Sequence, residues 1–368
     1  MKSPRKIAYL NLALSTAFLF CGASVEGQNP TAPPANSAPG TPATTQAKPG
    51  KGQTTISTTT VEVVVPVTVK DRNGNLVADL KKDEFRIFED DVEQEIRKLN
   101  TDAVPISLVV LIDNDLKQKD ADQVEPSLVS LVAGLSTNDE AYVCRFDQYF
   151  HEGKGFTKDQ DKLITELRRT ELASRSSTPP SGDPFGGPTI NGAPAPGAPQ
   201  VDTRSMLAIK GQPTKALDDA VFEAAMLLHD RDSRKRRKII LLISDGQNGP
   251  KFNTHKYDEV RAELFRQEIA VYSVATGSSY FERKFNRLLS YAHDTGGDIY
   301  FGAKQTTFSE FYSRITEEAR NQYTLIYSPA GDRNVDYHSI EVRVKREGLT
   351  ILSRKGYYGG TFATVPPK

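Results

Sequence analysis

The sequence predicts an α/β fold: a doubly wound, mainly parallel sheet with helices on both faces, plus a small β domain built from the N- and C-terminal flanks. Three observations carry this. The apolar runs at residues 106–112, broken only by Ser107, and 239–243 have the composition of parallel strands buried on both faces. Segments of helical spacing alternate with strand-like runs through residues 104–320, the rhythm of a doubly wound sheet. Each flank has too few strands for a stable sheet of its own, so pairing the two is the economical arrangement.

The chain opens with Lys2, Arg5 and Lys6 ahead of an apolar run over 7–20, followed by the small residues Gly22, Ala23 and Ser24. This order marks residues 1–27 as a secretory signal peptide, with cleavage expected after Ala23 or Gly27. The run is interrupted and shorter than the roughly 20 residues of a comfortable membrane span, so no stable span is expected once the signal is removed. Phe20, not a small residue, precedes Cys21, which argues against a lipid anchor. The expected location is outside the cytoplasm: periplasmic, envelope-associated or secreted. Removing the signal leaves Cys144 as the sole cysteine, and its alternating setting in 141–146 favours burial.

Residues 28–60 are rich in Pro, Ala, Gly and Thr and contain no aromatic residue, so they cannot offset their ordering entropy and read as a disordered tether. In the N-terminal β segment, 61–101, the stretch 61–69 is β-branched, Asp71-Arg72-Asn73-Gly74-Asn75 supplies a turn, and 85–88 forms a second strand. A strand at 106–112, a helix at 124–135, a strand at 141–146 and a helix at 158–172 follow. Residues 174–212, dense in Pro and Gly, read as a disordered surface insertion. The alternation resumes with a helix at 216–229, a strand at 239–243, a helix at 257–267, a strand at 270–275, a helix at 281–293, a short strand at 298–300 and a helix at 307–321. The C-terminal segment 321–361, with strands at 323–327, 339–344 and 349–352, is expected to pair with 61–101.

Composition narrows the function. Lys+Arg and Asp+Glu are both 47, which removes the electrostatic basis for a nucleic-acid partner. Two cysteines and five histidines without an HExxH pair leave little material for a zinc enzyme. The basic run Arg234-Lys235-Arg236-Arg237-Lys238 directly precedes a buried strand and reads as a solvated loop. Ser244-Asp245 lacks the glycine of a nucleophile elbow. His229 and His293 lie near helix ends, where they complement the dipole, and Gly296-Gly297 reads as a helix stop. No nucleophile–base pair or cofactor motif is present, so neither catalysis nor a cofactor is expected.

Ligands of doubly wound sheets gather at the carboxyl ends of the strands, at the point where strand order reverses. Both central strands end in acidic loops: Ile112 runs into Asp113-Asn114-Asp115-Leu116-Lys117, and Ile243 into Ser244-Asp245-Gly246-Gln247-Asn248. Over residues 104–320 this resembles the von Willebrand factor type A (VWA) domain, in which an Asp-x-Ser-x-Ser loop, a Thr from a second loop and an Asp from a third bind one divalent ion. The flanks "DLKKDEFRIFEDDVEQEI" and "SRKGYYGG" look like those of bacterial VWFA-related proteins described from Acidobacteria. The resemblance implies an exported protein mediating protein–protein interaction or adhesion at the cell envelope.

Against the family pattern, Asp113 matches the first Asp and Asp245 the third-loop Asp. Asp115 stands at the first Ser position, and Lys117 at the second, where an ammonium has no lone pair to offer a metal. Ala216-Leu217-Asp218-Asp219-Ala220 fits the end of the family's Thr loop, which places Lys215 at the Thr position and Thr214 one residue early. The candidate metal set is therefore Asp113, Asp115, Thr214 and Asp245 in a degenerate site, with Lys117 and Lys215 expected to replace the ion as counter-charges. Three alternatives stay open: a divalent-ion-dependent adhesion module using Asp113, Asp115 and Asp245 to hold Mg²⁺ or another divalent cation, an envelope hydrolase using the same carboxylates, and a purely structural role in an assembly.

Overall fold

A computed structural model of the chain describes residues 62–170, 172, 189–190, 193–194, 215–277, 287–302, 305–329 and 337–359. The expected signal peptide and tether, most of the 174–212 insertion, and Thr214 lie outside the described residues. The N-terminal flank contributes β1 (Val63–Lys70), β2 (Phe85–Glu89), β3 (Val92–Gln94) and β4 (Ile96–Asn100). The turn after β1 forms as its sequence suggests: Asp71 Oδ1 accepts from the amides of Asn73 and Asn75, and Gly74 takes φ +81°.

The α/β part begins with β5 (Ile106–Asp113), followed by α1 (Gln118–Val124), α2 (Ser130–Ala133), β6 (Glu140–Phe146), β7 (Phe150–His151) and α3 (Gln160–Arg168). A pair of antiparallel two-residue strands, β8 (Thr189–Ile190) and β9 (Ala193–Pro194), precedes α4 (Leu217–Leu227) and β10 (Arg237–Ser244). Then come α5 (Tyr257–Arg266), β11 (Ile269–Ala275), α6 (Arg287–Thr295), β12 (Ile299–Phe301) and α7 (Gln305–Arg320). The sheet order is β12-β11-β10-β5-β6-β7, parallel except for β7. Every residue of β5 and β10 is buried. Leu108, Val110 and Ile112 face α1, α2, α3 and α7, while Val109 and Leu111 face α4, α5 and α6. Cys144 is buried in the second of these cores, and burial pushes its thiol up to about 12.

Several element bounds differ from expectation, each for a local reason. The helix expected at 124–135 is instead α1, a 3-10 turn at Glu125–Ser127 and α2, because Pro126 has no N–H to continue the ladder. α3 starts later than expected because Asp159 caps it, accepting from the amides of Asp161 and Lys162. β10 starts at Arg237, inside the basic run, and buries both Arg237 and Lys238. That corrects the reading of 234–238 as a solvated loop, which holds only for its first residues.

The C-terminal flank adds β13 (Tyr323–Tyr327), β14 (Tyr337–Val344), β15 (Thr350–Ser353) and β16 (Gly356–Tyr358). The two flanks interleave into two antiparallel sheets, β15-β1-β13-β4 and β16-β14-β2-β3. Between them pack Val63, Val65, Val67, Ile87, Leu325 and Tyr327, all fully buried, and apolar side chains of this size each contribute about 1.5–3 kcal/mol. This β domain docks at the amino ends of the parallel strands. Lys70 Nζ reaches Asp298 Oδ2 and Glu318 Oε1, both at 2.5 Å, Gln322 Nε2 donates to Thr68 Oγ1 at 3.0 Å, and Arg237 donates to Thr324 Oγ1 at 2.7 Å. The carboxyl ends of the strands are left to the loops. Among the described residues no helix is long and apolar enough to cross a membrane.

Candidate functional site

The strand order reverses between β10 and β5, which run side by side with Ile243 opposite Ile112. Asp113 and Asp245 leave these two strands at their carboxyl ends and meet there. The apolar strands below give them no water: Asp113 is 0% exposed and Asp245 5%. Between the two carboxylates sits the ammonium of Lys215, 2.8 Å from Asp113 Oδ2 and 3.0 Å from Asp245 Oδ1, itself only 3% exposed.

Backbone hydrogen bonds fix each participant. Ala216 donates its amide to the Asp147 carbonyl at 2.9 Å, and the Lys215 carbonyl accepts from the Gly249 amide at 2.8 Å, so the lysine is held between two rim turns. Asp113 Oδ1 accepts from the Asp115 amide at 2.9 Å, and its Oδ2 also accepts from Ser244 Oγ at 2.7 Å. Asp245 Oδ1 takes the Gln247 amide at 3.0 Å, and Gly246 turns the loop with φ +76°. The loop after β10 is pinned to the start of α4 by two carboxylates. Asp218 accepts from Asn248 Nδ2 and Tyr291 OH, both at 2.7 Å, and Asp219 takes the amides of Thr254 and His255, both at 2.8 Å.

Burial pushes the Asp113 carboxyl up to about 6; Lys215 pulls the other way, and Asp245 adds to the rise. For Lys215 the balance reverses. Burial alone would lower it, but Asp113 and Asp245 together hold the ammonium above its ordinary range.

Of the residues singled out from sequence, Asp113, Asp245 and Lys215 come together. Asp115 lies beside them and contributes its backbone amide. Lys117 does not join them: it is exposed at the N-cap of α1, and among the described residues no ion pair links it to Asp113 or Asp245. Two participants escaped the sequence reading. Ser244 was legible in principle, as the residue beside Asp245. Asp120, in the first turn of α1, had no signal; its carboxyl lies so close to Gly277 (φ +58°) that a Cβ there would come within 2.5 Å of it. Burial raises the Asp120 carboxyl, Lys117 opposes the rise, and Asp245 adds to it.

The donor set is a poor match for a divalent cation. Oxygens that a metal would need already accept N–H donors from Lys215, and an ammonium beside a dication is repelled. A further group of potential metal ligands, Glu89, Asp90 and His338, lies in the β domain with ligand atoms within 4.8 Å of one another. Its bonds have a structural purpose: Asp90 Oδ2 contacts His338 Nδ1 at 2.7 Å, Asp90 Oδ1 takes the Ser339 amide at 2.8 Å, and Tyr327 OH donates to Glu89 Oε2 at 2.6 Å.

No family model matches the sequence, and no curated protein is similar to it. Solved structures are. A von Willebrand factor type A protein from Catenulispora acidiphila shares 9% identity, with 83% of this chain and 75% of that one covered and a TM-score of 0.40. BatB from Bacteroides thetaiotaomicron shares 12% identity over 58% of this chain and 98% of that one, with a TM-score of 0.39. The manganese-loaded TRAP protein of Plasmodium vivax shares 15% identity over 73% and 97%, with a TM-score of 0.36. These are likenesses of overall architecture, and no residue role is carried over from them.

Proposed function

We propose that this chain is an exported VWA-type binding protein that engages a protein ligand at the carboxyl-end face of its sheet without a divalent ion. The observation that supports this reading is the Lys215 ammonium lodged between Asp113 and Asp245, at the place where the resemblance would put the ion. The likeness of the flanks to bacterial VWFA-related proteins and the export-like leader agree with an envelope location. The rim around Lys215 also suits a protein partner. The turn that ties to Ala216 carries Tyr149, 66% exposed, and the turn that ties to Lys215 carries Phe252, 36% exposed. Aromatic side chains raised around a water-excluded centre are the usual anchors of protein interfaces. A hydrolytic role is disfavoured because Asp113 and Lys215 are too buried, and too fully engaged with each other, to reach a substrate proton.

The test is capture of a partner from envelope extracts of the native host, run in EDTA and in millimolar Mg²⁺. The same partner should be retained in both, and Tyr149→Ser with Phe252→Ser should weaken its retention about tenfold or more. Retention that requires Mg²⁺ would overturn the ion-free mechanism. Retention indifferent to the aromatic substitutions would move the binding surface elsewhere.

A further inference from the structure

We propose that the cavity between the amino end of the parallel sheet and the β domain binds a small organic anion carrying at least two negative charges, recognised by the buried cations Arg237 and Lys238. The inference does not rest on the reading of the opposite face. The cavity has a volume of about 510 Å³, within the range of about 300–1,000 Å³ common to small-ligand sites. Six cationic side chains line it against three carboxylates, and Phe265 and Tyr357 add aromatic wall.

Arg237 and Lys238 are 8% and 6% exposed. Arg237 makes one side-chain hydrogen bond, to the neutral Thr324 hydroxyl, and its buried Nε has no acceptor. Arg354, across the cavity, has a buried Nε in the same condition. Among the described residues neither Arg237 nor Lys238 has an ion pair. Burial pulls both below their ordinary range, since the hydration they lose is not replaced by a carboxylate in contact. Two of the three acids on the wall are already engaged: Glu268 lies 3.4 Å from Arg354, and Asp232 lies 3.6 Å from Lys235, while Glu62 is exposed to solvent. A buried lysine can shed its proton, but a guanidinium cannot, so Arg237 keeps its charge and is best satisfied by an anion brought from outside.

The chain's own leading segment does not bring it. Residues 28–61, which precede Glu62 of the cavity wall in sequence, contain no Asp or Glu. Guanidinium groups select oxyanions with two oxygens in a plane, so the ligand chemistry is carboxylate or phosphate.

The test is calorimetric titration of the full chain with citrate and with pyrophosphate, in about 150 mM salt to suppress loose surface binding. The expected result is one-site saturation with a Kd under about 1 mM for at least one of them. That affinity should fall at least tenfold in Arg237→Gln and in Lys238→Gln. Saturation by citrate alone assigns a carboxylate ligand, and saturation by pyrophosphate alone a phosphate-bearing one. Should the buried variants fail to fold, Arg266→Gln at the half-exposed rim replaces them and should weaken binding at least threefold. No saturation by either probe, affinity unchanged in the variants, or an equal response to sulfate overturns the proposal.

Discussion

The Nζ of Lys215 lies 2.8 Å from Oδ2 of Asp113, in a place where the lysine is 3% exposed and the aspartate not at all. A pair so withdrawn from water is costly to break, because the partner left behind keeps its charge and has no solvent to turn to.

Lys215→Met should therefore destabilise the protein by about 3–5 kcal/mol at pH 7, read as a lower midpoint in urea denaturation. Combining it with Asp113→Asn removes one of the two stranded charges, leaving that of Asp245, and should recover part of that loss. A single-variant loss under about 1 kcal/mol would class the pair with ordinary surface ion pairs.

Protonation of Asp113 provides a second measurement. Its carboxyl is pushed up to about 6 from 3.8, so the folded protein holds this proton more tightly than the unfolded chain. The resulting stabilisation is fully present below about pH 4 and is lost as pH rises through 6. Measured against Asp113→Asn, the unaltered protein should lose up to about 3 kcal/mol of relative stability between pH 4 and pH 7. A difference that stays flat across that window would place the titration on another group.

Divalent metal should leave the unaltered protein indifferent, with the Tm unchanged in millimolar Mg²⁺ or Mn²⁺. Lys117→Ser with Lys215→Thr frees the carboxylates and should create a metal-dependent rise, about 2.7 kcal/mol at a hundredfold excess over Kd. A clear rise in the unaltered protein, abolished by Asp113→Ala, would show that the ammonium yields its place to the ion.

Gly297 makes a prediction of its own. Gly296 closes α6 in the left-handed region with φ +81°, and the Gly297 amide returns to the Ala292 carbonyl at 3.0 Å, a Schellman stop. A Cβ on Gly297 would come 2.0 Å from the Val271 carbonyl oxygen. Gly297→Ala should cost more than about 2 kcal/mol, seen as a fall in Tm, whereas an unchanged Tm would mean that β11 shifts freely.

Legibility followed the strength of the local signal. β5 and β10 could be read directly because an uninterrupted apolar run has few other uses. β3 and β4 could not: Val92 is exposed, and the Glu, Arg and Lys side chains around it hide the alternation. In the site, Lys215 was located by the Ala-Leu-Asp-Asp-Ala stretch that follows it, but its insertion between two particular carboxylates depends on loops that meet only in three dimensions. The same limit governed Lys117, which shares its charge and points to solvent. Arg237 and Lys238 looked solvated because charge usually is, and only the docked β domain explains why they are not.

Arg354 donates to the carbonyl of Val64 across 290 positions of sequence, and β1 finds both its neighbours, β13 and β15, near the far end of the chain. Contacts of such separation are slow to form, because the loop they close must first be drawn together. As the chain is made from its N-terminus, β1 must wait for almost everything after it. The last strands thus act as a completion check: a chain cut short would leave β1 with two bare edges, open to proteases and to aggregation.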